Sequence, residues 1–356
     1  MISELLIKNG TVWNGEDFIK QDVLIKNGII FKIRDRIYDD VRNVFDARNM
    51  IISSALIDAH THIKGISPDS IGINAEKISY PFGVTTLIDA SAEQGNKSEL
   101  LKEECDISVF AEATIKDNKA DFSFAEKMIS KYNEKLIGLK VYFDKSFVNV
   151  WSVDPLKEIC EYSSKNNLKV MVHTTNSPVS MLKIAETLNN GDIISHAYHG
   201  GDNNASVNYY KGLKMAKEKG IYVDSALAAY YHIDYSLFKD SLNYDITPDI
   251  ISSDITKDLE FFGGVKYCLP LCMSILENLG LDKKSVFKAT TVNPARIFGF
   301  KNKGYLKEGN KAEISIFKYE KCNIEIKDRF DNKTHIKNLL KCVLTISNGN
   351  VMFREF

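Results

Sequence analysis

Apolar and polar positions along this chain follow two rhythms. Near both ends they alternate with a period of two. Leu5-Leu6-Ile7-Lys8-Asn9-Gly10 and Asp22-Val23-Leu24-Ile25-Lys26-Asn27-Gly28, the latter followed by Ile29-Ile30-Phe31-Lys32-Ile33, read as strands running into Asn-Gly turns. Asn-Gly suits a tight hairpin because both residues tolerate positive φ. Residues 312–317 and 343–349 repeat the pattern near the C-terminus. The two ends are expected to pair into one β-sandwich, made of residues 1–52 and 303–356, flanking a central unit of residues 53–302.

In the centre, short β-rich runs alternate with helical patterns. Eight runs stand out, at 56–62, 85–90, 107–115, 136–142, 169–174, 192–199, 221–225 and 250–254. A helix is expected from Pro155, with Asp154 as its cap; others are expected at 177–189 and 209–219, the last closed by Gly220. Asn293-Pro294-Ala295-Arg296 reads as the cap and opening of a further helix. The expected fold class is α/β: a (β/α)8 TIM barrel with a small β-sandwich domain formed by both chain termini. An open doubly wound sheet is the competitor, but no Gly-x-Gly-x-x-Gly or Walker sequence supports it.

Composition narrows the partners. Among 356 residues, 46 Lys+Arg nearly balance 47 Asp+Glu. That balance argues against nucleic acid or an anionic membrane surface as the main partner and is compatible with a small-molecule substrate, with homo-oligomerisation open. No apolar run approaches the roughly 18 residues of a membrane helix, and no basic-then-apolar leader is visible. The six cysteines are scattered, without a Cys-x-x-Cys pair. They suggest a reducing compartment, and the cytoplasm is the expected location.

The candidate chemistry sits at the C-terminal ends of the expected strands. The first ends in Asp58-Ala59-His60-Thr61-His62, and on a strand the i, i+2 spacing turns both imidazoles to one face. Lys140 lies in the fourth run, His173 ends the fifth, His196 and His199 end the sixth, and Asp254 ends the eighth. Taken singly each has a plain alternative. A strand-end histidine is commonly a hydrogen-bonded structural residue, a lysine in an apolar strand usually snorkels, and an aspartate often caps a helix. Delivered together from separate strands, they make a metal-site constellation.

The chain resembles the amidohydrolase superfamily, in its binuclear-metal branch, and within it the amidohydrolase/deacetylase (dihydroorotase-like) group. The resemblance rests on Leu56-Ile57-Asp58-Ala59-His60-Thr61-His62, Gly138-Leu139-Lys140-Val141, Met171-Val172-His173, His196-Ala197-Tyr198-His199-Gly200, Ile251-Ser252-Ser253-Asp254 and Thr291-Val292-Asn293-Pro294-Ala295-Arg296. It implies that His60, His62 and Asp254 bind one divalent metal ion and that His173 and His196 bind a second. The ions are expected to be zinc, with manganese as the alternative. It implies an N-carboxylated Lys140 bridging the two, and Asp254 as the catalytic proton carrier.

The implied activity is hydrolysis of an amide or ester bond that deacylates a small N-acyl or O-acyl amino or hydroxy acid. A cyclic amide hydrolase of the dihydroorotase or hydantoinase type is the alternative, and a non-catalytic scaffold a more distant one. The metal-side positions all match the group, whereas the substrate-side positions depart from it. Tyr142 stands where a basic residue is common, Ile255-Thr256-Lys257-Asp258 replaces His-Thr-Arg-Asn, and Ser225-Ala226-Leu227 replaces Gly-His-Gly. Ile63, Lys64 and Gly65 stand where a cyclic amide hydrolase commonly has a carboxylate-binding arginine. Tyr142, His199 and Lys257 are the candidate substrate contacts; His232 is expected in a loop and His335 at the surface.

Overall fold

The structure, a computed structural model, describes residues 1–64, 71–92, 105–132 and 135–355. Gly65 therefore lies outside the described residues. Both ends of the chain contribute to one eight-stranded sheet. Its path runs Asn350–Arg354, Lys333–Ser347, Ile314–Lys327, Ile51–Ser54, Glu4–Trp13, Phe18–Lys26 and Ile29–Arg34, with Val44–Asp46 also paired to Glu4–Trp13. The ends join where Ile314–Lys327 runs antiparallel to Ile51–Ser54. Ile7, Val23, Ile52, Ile314 and Ile346 share one buried cluster, so each end covers apolar surface of the other.

Of the three Asn-Gly pairs within the strand-like runs named above, two make the expected turns. Asn27 and Gly28 (φ 50° and 72°) and Asn348 and Gly349 (φ 50° and 74°) link adjacent antiparallel strands. Asn9-Gly10 does not. It lies within Glu4–Trp13, where pairing with Phe18–Lys26 shifts register between Ile7 and Gly10. Left-handed Asn9 (φ 63°) makes a bulge there, and its N–H donates to the buried Asp22 Oδ1 at 2.8 Å.

The centre of the chain forms a seven-stranded parallel sheet with its strands in sequence order. They are Leu56–Thr61, Val84–Ala92, Asp106–Glu112, Leu136–Tyr142, Lys169–His173, Ile193–Ser195 and Tyr222–Val223. Residues 250–254, expected as an eighth strand, make no regular strand. This segment instead forms single parallel bridges, Ile250 to Asp224 beside the seventh strand and Ile255 to Thr61 of the first. Asp254 takes a left-handed backbone (φ 51°), which interrupts the pleat.

Helices Asp154–Lys165, Met181–Thr187, Lys211–Glu218 and Tyr235–Leu242 lie between the later strands. Four of the expected helix starts move. Asp154 begins its helix rather than capping it, with Val153 at the cap and Pro155 in the first turn. The helix expected from residue 177 starts after Ser180, whose side chain accepts from the Lys183 N–H. Tyr209 and Tyr210 (φ 55° and 60°) delay the next helix to Lys211. Asn293 lies inside Val292–Ile297 instead of capping it, and its Nδ2 donates to the Asp249 carbonyl at 2.9 Å.

Ala59, Ile88, Phe110, Met171, Ile193 and Ile250 form a buried cluster separate from the larger core. They come from six different segments of the sheet, the first and the last among them, so the sheet is curled rather than flat. Gly138 in the fourth strand makes room for this cluster. A Cβ there would lie 2.2 Å from the Phe110 ring and 2.5 Å from the Lys169 carbonyl oxygen, and the second neighbour is backbone. Gly138→Ala is expected to cost about 1–3 kcal/mol of folding stability through overpacking. The denaturant midpoint reads this, and an unshifted midpoint would reject the packing argument.

Candidate metal centre

The parallel strands end in backbone conformations that turn polar side chains inward. The pairing of Leu56–Thr61 with Val84–Ala92 shifts register between Asp58 and Thr61, and a bulge at such a place re-aims the side chains that follow. His196 (φ 59°) and Asp254 (φ 51°) both sit in the left-handed region. For residues other than glycine this costs on the order of 1–3 kcal/mol, and it persists where the surroundings over-determine the backbone.

Two groups of side chains converge. In the first, Asp254 Oδ1 lies 3.2 Å from His60 Nε2 and 3.0 Å from His62 Nε2. Lys140 Nζ lies 3.0 Å from the same His60 nitrogen. In the second, ring nitrogens of His173, His196 and His232 lie within 4.8 Å of one another. Asp254 sits between the groups, with Oδ2 3.9 Å from His196 Nε2 and 3.8 Å from His232 Nε2. The five residues expected at a metal centre on separate strands, together with His62, thus come together.

A layer of buried carboxylates orients them. The Nδ1–H of His60 faces Ser195 Oγ at 2.9 Å and Asp224 Oδ2 at 3.3 Å. Asp224 also accepts from Ser195 Oγ (3.1 Å), Ser252 Oγ (2.7 Å) and Ala226 N (3.2 Å). Asp58 accepts from both Ser253 N (3.0 Å) and Ser253 Oγ (2.6 Å), tying the first strand to the segment that carries Asp254. Burial pushes the Asp58 carboxyl up to about 7. Asp144 Oδ2 approaches His173 Nε2 to 3.4 Å.

Charge is distributed to suit a cation. Burial alone would raise the pKa of Asp254, but the imidazoles of His60, His62 and His196 more than offset it and hold the carboxyl well below its usual range. Burial pulls His173 down, and it pulls His196 and His232 far down, which favours the neutral form of each ring. Burial brings Lys140 down to about 8, against the pull of Asp254, Asp224 and Glu112. Lys140 is fully buried, and no carboxylate among the described residues forms an ion pair with it; its Nζ lies 5.6 Å from the centre of the Tyr142 ring.

These residues fit divalent metal. Imidazole and carboxylate are zinc-type donors. Donors held about 2.1 Å from one tetrahedral zinc ion are roughly 3.4 Å apart, close to the 3.0–3.2 Å separations around Asp254 Oδ1. The groups open into a cavity of about 350 Å³. Ile71, Tyr142, Phe147, Tyr231 and Leu259 line it with Asp144, Thr256 and Asp258.

The candidate substrate contacts divide. Tyr142 lines the cavity. Lys257 is exposed at the start of a one-turn helix, and its neighbours Thr256 and Asp258 line the cavity in its place. His199 is fully buried behind the site, where its Nδ1 accepts from Gly201 N at 2.9 Å. Sequence reasoning overlooked Asp58, Asp144, Asp224 and the full involvement of His232. Asp58 and Asp224 left a usable signal, since each is a carboxylate inside an apolar run. His335 sits on Lys333–Ser347, with a side chain that is 42% exposed.

Imidazoles and a carboxylate thus converge near the C-terminal ends of the parallel strands of an α/β protein, as a donor set that could hold metal. The chain belongs to the Amidohydrolase family, whose model matches residues 51–352, and it is a hydrolase acting on C–N bonds. It is 24% identical over 376 residues to a deacetylase of Enterococcus faecalis, covering 98% of each chain. It is 21% identical over 383 residues to a dihydroorotase of Methanosphaera stadtmanae, covering 88% of this chain and 87% of that one. The crystal structure of a dihydroorotase superposes with a TM-score of 0.86 at 20% identity, covering 99% of this chain and 98% of the other. That of an adenine deaminase superposes with a TM-score of 0.84 at 21% identity over 99% of both chains. These two likenesses speak to the fold alone.

Asp224 touches none of the cavity and acts on it through His60. Asp224→Asn is expected to weaken metal retention by about 10–100-fold. Competition with a chromophoric chelator measures this, and native retention in the variant would detach Asp224 from the centre.

Proposed function

We propose that the protein is a binuclear-metal hydrolase that deacylates a small N-acyl or O-acyl amino or hydroxy acid. The observation that carries this reading is the fully buried Lys140, without an ion-paired carboxylate among the described residues, beside two groups of metal-type ligands. His60, His62 and Asp254 would hold one cation, and His173 and His196 the other. A neutral Lys140 amine can add carbon dioxide and release a proton, giving a carbamate whose single negative charge is shared by two oxygens that could serve as metal ligands. Zinc suits this donor set best, with manganese as the alternative. When bound, the cations supply Lewis acidity toward the attacked carbonyl and toward water.

The chain's own groups do the rest. The Asp254 carboxylate, kept ionised by its imidazole neighbours, takes a proton from the attacking water as the C–O bond forms. It then returns that proton to the leaving nitrogen or oxygen as the acyl bond breaks. Tyr142 would contact the substrate along the cavity wall. Lys257 and His199 lack such a position, so neither is assigned a contact here. Among the described lining residues there is no arginine of the kind a dihydroorotase commonly uses to clamp its substrate, and the carboxylate of an acyl acid would have to be met by other groups.

The same reading makes residues 53–302 a (β/α)8 barrel, with the segment around Ile250–Ile255 as its eighth stave; the bridges to Asp224 and Thr61 support this. Residues 1–52 and 303–356 would form the β-sandwich domain bracing it. No helix among the described residues is long and apolar enough to cross a membrane. All six cysteines are free, which supports a cytoplasmic location.

A panel of acylated amino and hydroxy acids set against dihydroorotate and hydantoins tests the substrate class; turnover confined to the cyclic amides would overturn the acyl reading. Asp254→Asn is expected to lower kcat by about a hundred- to ten-thousand-fold with metal still bound, and an unimpaired variant would refute the proton role. Lys140→Ala is expected to lose metal, with partial rescue of activity by short carboxylic acids. Full metal content in that variant would remove the carbamate from the account.

A further inference from the structure

We infer that His232 is a third imidazole ligand of the second cation, which makes that position selective for zinc over manganese. This rests on the two-cation reading above and adds to it, because the family resemblance supplies only His173 and His196 there. The geometry is the first support. The ring centroids lie 4.3 Å apart for His173–His196, 4.1 Å for His196–His232 and 5.1 Å for His173–His232. A ring nitrogen from each lies within 4.8 Å of the other two.

The second support is the way the rings are turned. His196 donates its Nδ1–H to the Ala226 carbonyl at 2.8 Å, which leaves Nε2 as a lone-pair donor. His232 Nδ1 lies 2.9 Å from Thr175 Oγ1. With that hydroxyl accepting, His232 Nε2 also presents a lone pair, and both Nε2 atoms face Asp254 Oδ2. Fixing the tautomer through the outer nitrogen is how metal-binding histidines are commonly held. Buried lone pairs converging on a carboxylate oxygen repel one another unless positive charge lies among them.

The third support is that the loop is clamped. Ala226, Ala228 and Ala229 all take left-handed backbones (φ 35°, 45° and 57°) on the way to His232. The His232 N–H donates to the Leu227 carbonyl at 3.2 Å. On the other side, the Ile233 carbonyl accepts from Arg329 N at 3.1 Å, and the Tyr235 N–H donates to the buried Asp328 at 3.1 Å. Arg329 and Asp328 belong to the turn between the long strands Ile314–Lys327 and Lys333–Ser347, so the far end of the chain fixes where His232 stands. Three imidazoles favour zinc and its neighbours, whereas oxygen donors suit manganese. The first position, which includes a carboxylate, should discriminate less.

The test loads the full-length protein with zinc and reads bound metal, not turnover. Native protein is expected to hold two zinc ions. His232→Ala is expected to bind the second at least about tenfold more weakly, to keep the first, and to lose zinc from the second position to excess manganese that leaves the native protein zinc-loaded. X-ray absorption of native dizinc protein should count five imidazoles over the two ions. Two zinc ions held with native affinity in His232→Ala, or four imidazoles in the native spectrum, would overturn the inference. Should the variant misfold, the native count decides. Fewer than two zinc ions in native protein would instead sink the two-cation reading itself.

Discussion

The buried carboxylate of Asp254 is the point on which the centre turns. One oxygen faces His60 and His62, the other faces His196 and His232, and the backbone beneath it is left-handed. An ionised carboxylate at 5% exposure is tenable only with close positive or hydrogen-bonding partners. The same residue anchors the edge of the parallel sheet, because its N–H donates to the His60 carbonyl at 2.7 Å while the His62 N–H donates to Ile255. The backbone contacts that join this segment to the first strand and the meeting of the ligand-type side chains therefore involve the same residues.

Around that point the protein spends several buried polar groups on orientation. Asp224 gathers His60, Ser195, Ser252 and the Ala226 N–H. Asp58 gathers both polar hydrogens of Ser253. Neither carboxylate reaches the cavity, yet each joins two strand ends that must keep register for the ligands to meet. Buried polar networks of this kind favour one arrangement, since a partly satisfied network costs more than an apolar one. Five non-glycine left-handed residues, His196, Ala226, Ala228, Ala229 and Asp254, lie in the same place, as expected where function requires backbone strain, while others stand in turns and at element ends elsewhere in the chain.

The two faces of the site have different characters. The ligand-type face is built of imidazoles and the Asp254 carboxylate. The substrate face is aromatic and acidic, with Tyr142, Phe147, Tyr231, Asp144 and Asp258 lining the cavity. Such a wall discriminates by shape and desolvation more than by ion pairing, so a change of substrate within the family can leave the ligand face untouched.

Much of this was legible in the chain itself. Alternation and Asn-Gly pairs marked the strands of the terminal sheet, and the hairpins at Asn27-Gly28 and Asn348-Gly349 followed from local φ preferences alone. The convergence of His60, His62, Lys140, His173, His196 and Asp254 was readable because parallel strands bring their C-terminal ends to one end of the sheet. Three things were not readable. Asn9-Gly10 became a bulge because the strand continued past it and Asp22 took up the Asn9 N–H. The segment around Asp254 broke its pleat to meet two strands at once. His232 reached the site through a loop whose course is set by Asp328 and Arg329, almost a hundred residues further along. Local sequence determines what a residue prefers within its own few neighbours. Which carboxylate, bulge or distant turn overrides that preference is decided only when the folded chain brings them together.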